Sequence, residues 1–530
     1  MHCAVLTLLV CALPNAVPDT IVVCSDTFRE SLKPWVQHRT KQGHRLAFVS
    51  NKNSADEIRA EIRKAAKAGQ LQYIVLIGDA KPKGDAIRKG NNKDRELTVP
   101  THFAKAKVNI QWGSEPEIAT DNWYADLDDD QIPDVAVGRL TADSKDELDT
   151  IVRKILDYEN QRDFGIWRRR INFVAGVGGF GKLADSILEM ATKEILTSKV
   201  PAAYATTMTY GSWRSPYCPD PRQFQHAAMH RLNEGCLFWV YIGHGQRRHL
   251  DRVRTPQGWH HIMSTRDVEK MQSTHGAPLA LFLACYTGAF DEPLDCLAEE
   301  MLRRPGGPVA IVCGSRVTMP YAMAVMSHEF LHELFAKRHA TIGDLVLNTK
   351  QRLVAPVKPN ADGARLRQLI DAIALTISPT AKQMDAERKE HLLLFNLIGD
   401  PLLRIRHPQP ISVRASERVR AGEKLIIKAS SPIAGKATIE LVCRRDLLTF
   451  TAPRREKYDA SDGALRAMTD VYFKAADPRW VSTTRRVKEG EFQVELTVPE
   501  NARGSCHVRV FVEGKEDFAM GAADVFVRSK

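Results

Sequence analysis

The chain has 530 residues, 44% of them apolar and 26% charged, with a formal net charge of +11. That length exceeds what one hydrophobic core serves, so two to four domains are expected, and the composition is that of a soluble globular protein. The positive excess is spread along the chain without a Lys/Arg block, and neither a zinc-finger spacing nor an aromatic–basic RNA motif is present, which argues against nucleic acid as a partner.

Residues 1–16 open with an apolar run about as long as a signal-peptide core, without a basic flank and with Pro14 where a small residue is wanted. A signal segment over 1–18, with a secreted or cell-surface protein, is one reading; a cytoplasmic chain is the other. No run of about 18 apolar residues occurs, so no transmembrane helix is expected.

From residue 19 the chain alternates. Residues 20–24, 46–50 and 73–77 read as buried strands. A helical period lies between the first two over 28–42. A second helix, over 54–68, starts with the capping box Ser54/Glu57. Continuous apolar strands alternating with helices mean a parallel sheet covered on both faces. The pattern recurs with strands at 135–138, 171–175, 237–242, 279–284 and 309–312 and helices at 143–161, 182–197 and 297–303. Two α/β halves follow, 19–165 and 166–408. After His407-Pro-Gln-Pro410 short alternating runs read as an all-β sandwich of immunoglobulin size over 409–530.

Ten cysteines include no CxxC pair and are too sparse for a disulfide scaffold. Cys443 and Cys506 fall in two strands of the sandwich, and the spacing leaves open whether they bridge.

Four stretches carry chemistry. Asp126, Asp128, Asp130 and Asp134 stand at positions 1, 3, 5 and 9 of a calcium-loop spacing. Gln131 replaces the glycine of position 6 and Val137 the glutamate of position 12. This is therefore no EF-hand; a shorter aspartate loop that holds Ca²⁺ is one reading, and a plain acidic loop is the other. Residues 176–182 satisfy GxGxxG, yet Leu183 replaces the hydroxyl residue a phosphate loop needs, so a tight turn is preferred over a nucleotide-dependent enzyme. No organic cofactor is expected. The strand at 237–242 ends in Gly243-His244-Gly245, and the strand at 279–284 ends at Cys285. Ligands of parallel sheets bind beyond the carboxyl ends of strands, so these two ends would bring an imidazole and a thiol to one rim. The N–H groups of Gly245 and Cys285 would then serve as oxyanion donors. Trp259, His249, His260 and His261 lie between the two; an ordinary packed Trp or a pocket wall at Trp259, and pocket-lining or surface histidines, are the readings there.

Ile242-Gly-His-Gly-Gln246, Ala284-Cys-Tyr-Thr-Gly-Ala-Phe290 and Leu397-Ile-Gly-Asp-Pro401 resemble the gingipain-type cysteine peptidases over about 19–408. The resemblance implies a caspase-like α/β fold with an immunoglobulin-like domain behind. It also implies a cysteine endopeptidase that hydrolyses a protein or peptide substrate through an acyl-enzyme, with His244 as general base and Cys285 as nucleophile. An acidic residue before a strand–Gly-Arg element would orient the histidine, and Asp134, before Val135–Arg139, matches that element. The competing reading is a non-catalytic, calcium-dependent surface-binding protein on a peptidase-like scaffold.

Overall fold

A computed structural model of the chain describes residues 17–80, 96–177, 199–273, 275–357, 363–378 and 380–529. The predicted signal segment, the predicted helix at 182–197 and most of the GxGxxG stretch lie outside the described residues.

Ten strands form one sheet. In chain order they are β1 (Thr20–Cys24), β2 (Leu46–Ser50), β3 (Tyr73–Ile77), β4 (Ala136–Leu140), β5 (Arg170–Ala175), β6 (Ala205–Tyr210), β7 (Phe238–Ile242), β8 (Leu279–Leu283), β9 (Ala310–Gly314) and β10 (Phe395–Ile398). Their order across the sheet is β2-β1-β3-β4-β10-β9-β8-β7-β5-β6. Every neighbouring pair is parallel except β9–β10. Two five-stranded parallel halves therefore meet antiparallel at β9–β10. β10 belongs to the end of the α/β region but pairs with β4 of the first half, its Ile398 opposite Arg139.

The continuous apolar runs β1, β3, β8 and β9 are buried at every residue, as a sheet with both faces covered requires, and so is β10. β2, at the sheet edge, is only partly buried. Helices Ala55–Ala66 and Lys145–Asn160 start where capping residues predict. Ser54 and Glu57 form the reciprocal box, and Ser144 accepts from the Glu147 N–H. Asp400, within Leu397-Ile-Gly-Asp-Pro401, is fully buried, and Trp35 Nε1 (2.5 Å) and Arg39 Nη2 (2.6 Å) donate to its carboxylate. Arg39 also donates to Glu159 at 2.8 Å. This buried network ties the helix Arg29–Lys41, the helix Lys145–Asn160 and the loop after β10 into one unit. Removing one of its charges would strand the other in a dry interior.

Residues 409–529 form a β-sandwich of a six-stranded and a three-stranded sheet around its own apolar core. The all-β expectation needs one correction. A helix, Asp462–Ala476, is inserted between strands Gly435–Cys443 and Arg479–Val487. Its Ser461 cap and buried Leu465, Met468 and Tyr472 make it amphipathic at helical spacing. The buried face docks on the second α/β half. There the Tyr472 hydroxyl meets Thr209 and Arg231, each at 2.9 Å. Arg445 and Arg455, in the segment leading to the helix, donate to backbone carbonyls of Pro201, Tyr204 and Ser215. The buried trio Arg169–Glu440–Arg509 (2.8 and 3.0 Å) crosses the same interface. Leu465, Met468, Phe511 and Phe518 join the core of the α/β part, so the sandwich braces the sheet.

Candidate active site

The site is built where β7 and β8 end. The two are parallel neighbours, with Ile242 opposite Leu283. His244 follows β7 by two residues, and Cys285 follows β8 by two residues. The Gly243 N–H still donates to the Leu283 carbonyl (3.2 Å), so the ladder continues past the strand ends. Gly243 has φ +152°, and a Cβ there would lie 2.9 Å from the Tyr241 hydroxyl. That hydroxyl donates to the His244 carbonyl (2.8 Å), which also accepts from the Asp251 N–H (3.1 Å). The backbone that carries the imidazole is thereby clamped, while the ring itself stands on an exposed residue.

Gly245 is buried against the cysteine. An added Cβ would lie 2.6 Å from the Cys285 carbonyl oxygen, 2.9 Å from Thr287 Cγ2 and 3.0 Å from Ala284 Cβ. Neither the Gly245 nor the Cys285 N–H donates to a backbone carbonyl among the described residues. Tyr286, next in sequence, takes the left-handed conformation (φ +55°), unusual for a bulky residue and a strain that clusters at functional sites.

All eight described cysteines are free thiols, and seven are buried; Cys285 alone among them is partly exposed. Burial pushes Cys24 and Cys443 up to about 11 and Cys218 and Cys506 up to about 12, and it raises Cys236, Cys296 and Cys313 as well. The Cys285 sulfur accepts from the Thr318 N–H at 3.3 Å and lies 3.6 Å from Thr318 Oγ1. Its hydrogen-bond contacts are thus with the loop after β9, on the side of β8 away from β7.

A charged collar surrounds this rim. Arg316 is buried and pairs with Asp291 through both terminal nitrogens (2.8 and 2.6 Å). Arg247 bridges Glu115 and Glu292 (2.7 Å to the latter) and lies 4.5 Å over the Tyr286 ring. The Tyr286 hydroxyl donates to Glu115 at 2.9 Å. Burial raises the pKa of Glu115. Its own backbone N–H, Tyr286, Arg316 and Arg247 outweigh that and hold it below the ordinary carboxylate range.

Gly245 packs on Cys285 and His244 follows the end of the neighbouring strand, whereas Asp134 lies elsewhere along the sheet. Asp134 precedes β4, four strand positions from β7, or about 19 Å at the usual strand spacing. Its carboxylate accepts from the Leu127 N–H (2.7 Å) within the acidic loop. Burial, then repulsion from Asp128, Asp126 and Asp130, raises its pKa against that bond. Carboxylate oxygens of Asp126, Asp128 and Asp130 converge within 4.8 Å of one another. Gln131, at the glycine position, has φ +72° and Asp129 +70°, so the turn demanded by the loop spacing is made without glycine. Asp129 faces outward to Arg59 (2.9 Å) and Arg63 (2.7 Å).

Trp259 is not a core residue. It stands 59% exposed on the hairpin Arg252–Thr255/Gly258–His261, stacked by Arg254 at 5.2 Å. His261 pairs with Asp267 (2.6 Å), and His249 is exposed. Sequence reasoning missed Thr318, Arg316 and Asp291, and Glu115. The rule that sheet ligands gather at strand carboxyl ends would have pointed to 315–318, which follow β9. Glu115 carries no such signal, because it reaches the rim from the loop of a hairpin between β3 and β4.

Comparison with known proteins agrees with this architecture. The sequence model of peptidase family C25 matches residues 13–406. Gingipain R2 of Porphyromonas gingivalis is 23% identical over 355 residues, 64% of this chain and 43% of that protein. Lys-gingipain HG66 of the same organism is 24% identical over 308 residues, 55% of this chain and 15% of that protein. The chain thus spans less than half the length of these relatives. The crystal structure of the Arg-specific cysteine proteinase gingipain R matches with a TM-score of 0.53 and 17% identity, covering 97% of this chain and 98% of that one. This establishes the shared fold, α/β sheet and sandwich together.

Proposed function

Since the chain belongs to peptidase family C25, we propose that it is a cysteine endopeptidase acting on a protein or peptide substrate. The observation that supports this reading is that β7 and β8 are parallel neighbours and that His244 and Cys285 each follow one of them by two residues. In the proposed reaction a turn about χ1 of Cys285 swings Sγ from Thr318 toward His244. The imidazole takes the thiol proton, and the sulfur attacks the scissile carbonyl carbon. The Gly245 and Cys285 N–H groups receive the developing oxyanion. His244 gives its proton to the leaving amine. Water, deprotonated by the same imidazole, then releases the acid and restores the thiol. Asp134 lies too far along the sheet to orient the imidazole in this scheme, and the Tyr241 hydroxyl fixes only the backbone that carries the ring. Apo cysteine–histidine pairs are often loose and tighten with substrate bound, so the present sulfur rotamer is compatible with the scheme.

The test is a library of fluorogenic peptides, read with and without iodoacetamide. Native-state alkylation should label Cys285 among the described cysteines, since the other seven are buried, and cleavage should stop in step with that labelling. Cleavage that survives full labelling of Cys285 would sink the reading. The non-catalytic alternative is not favoured, because the matched family is one of peptidases.

We also propose that Asp126, Asp128 and Asp130 hold Ca²⁺. Hard oxygens on alternate residues of a tight turn suit that ion, and a cation would offset the like-charge repulsion already seen at Asp134. Calcium should raise Tm by several degrees, and Asp128→Asn should remove that gain. Gln131→Gly should add about 0.5–1 kcal/mol of stability in either state, since it relieves a left-handed side chain. A Tm indifferent to EDTA would exclude the site. By family likeness, a secreted or cell-surface location is proposed; among the described residues no helix is long and apolar enough to cross a membrane.

A further inference from the structure

We propose that Cys443 and Cys506 form a disulfide when the protein matures in an oxidising environment. The proposal is independent of the catalytic reading. The two residues lie directly opposite each other on the antiparallel strands Gly435–Cys443 and Gly504–Glu513. The pair is of the non-hydrogen-bonded kind. The Cys443 N–H points to the other side, to the Pro478 carbonyl (2.9 Å), while the adjacent pair bonds across through Arg444 N–H to the Ser505 carbonyl (2.9 Å). Residues so opposed have Cα atoms about 4.5 Å apart with side chains on one face. That separation falls within the range a disulfide spans, about 4.4–6.8 Å.

Both thiols are free in this structure, Cys443 Sγ against the Leu447 carbonyl (3.4 Å) and Cys506 Sγ against the Arg503 carbonyl (3.9 Å). Turning χ1 of the two residues aims the sulfurs at each other with no change of strand register. No other two described cysteines are cross-strand partners. Both are buried, so the closed bond would be shielded from reductants.

The position gives the bond a purpose. Cys443 is the last residue before the chain leaves the sheet for the arm that carries Arg445, Arg455 and the helix Asp462–Ala476. That arm makes much of the contact between sandwich and α/β part. A bond at its root would pin the arm to the central strand pair and hold the brace closed. In the reaction the two thiols lose two electrons and two protons to a small-molecule disulfide such as oxidised glutathione. One sulfur–sulfur bond forms in the protein, one breaks in the oxidant, and two glutathione thiols result.

The test is full-length protein folded with oxidised and reduced glutathione, denatured, alkylated and digested without reduction. A linked Cys443–Cys506 peptide is expected, together with a Tm that falls by several degrees when dithiothreitol is added. The Cys443→Ala and Cys506→Ala variants should each lack that fall, and each should leave the remaining thiol free to alkylate. Recovery of both cysteines singly alkylated, or of either joined to glutathione or to another cysteine, would overturn the proposal. So would a linked peptide formed equally in protein denatured before oxidation.

Discussion

Cys285→Ala should abolish peptide hydrolysis, lowering kcat/KM by about 10⁴-fold or more, and leave a folded protein. The expectation rests on placement. Cys285 is the one partly exposed thiol among the described cysteines and follows a central strand by two residues, as His244 follows the neighbouring strand. The alanine deprives the N–H of the buried Thr318 of its sulfur acceptor, a loss of about 1–3 kcal/mol. Tm should therefore fall by a few degrees while activity disappears. His244→Ala should cost a similar factor, and the double variant should be no worse than either, because groups that act as a unit are not additive. A Cys285→Ala protein that keeps more than a tenth of wild-type activity would exclude the thiol as nucleophile. Two full and independent losses would point instead to two separate roles.

Gly245→Ala should reduce kcat by about 10²–10³-fold with a smaller effect on KM. The added methyl would sit 2.6 Å from the Cys285 carbonyl oxygen, with Thr287 and Ala284 close on either side. Backbone cannot rotate away as a long side chain can, so the His244–Gly245 turn must shift off the cysteine. Overpacking of that kind costs about 1–3 kcal/mol of stability. The shift would also move the Gly245 N–H from where a tetrahedral oxyanion would sit, and that displacement should show in kcat. A folded Gly245→Ala enzyme with unchanged kcat would mean that Gly245 supplies no donor and serves only close packing.

Much of the fold was legible from local pattern. β1, β3, β7, β8 and β9 announce themselves as apolar runs too continuous for anything but a doubly covered sheet. The Ser54/Glu57 box marked a helix start to the residue. The helix Asp462–Ala476 was overlooked because the alternating runs around it read so strongly as sandwich, although its own apolar residues keep helical spacing. The antiparallel seam between β9 and β10 could not be read. Strand order depends on which faces the intervening helices cover, and periodicity does not record that.

The sequence by itself determined which chemistry is present: an imidazole between two glycines, a thiol at a strand end, and carboxylates on alternate residues of a turn. Those identities follow from short-range constraints, such as a backbone that must turn or a run that must be buried. Only the tertiary structure decided which of these groups meet. It made the strands that precede His244 and Cys285 parallel neighbours, brought Glu115 and Arg316 to the rim, and kept Asp134 with the acidic loop four strand positions from β7. The physical reason is that distance across a sheet is counted in strands about 4.8 Å apart, and the order of those strands is settled by packing over the whole domain.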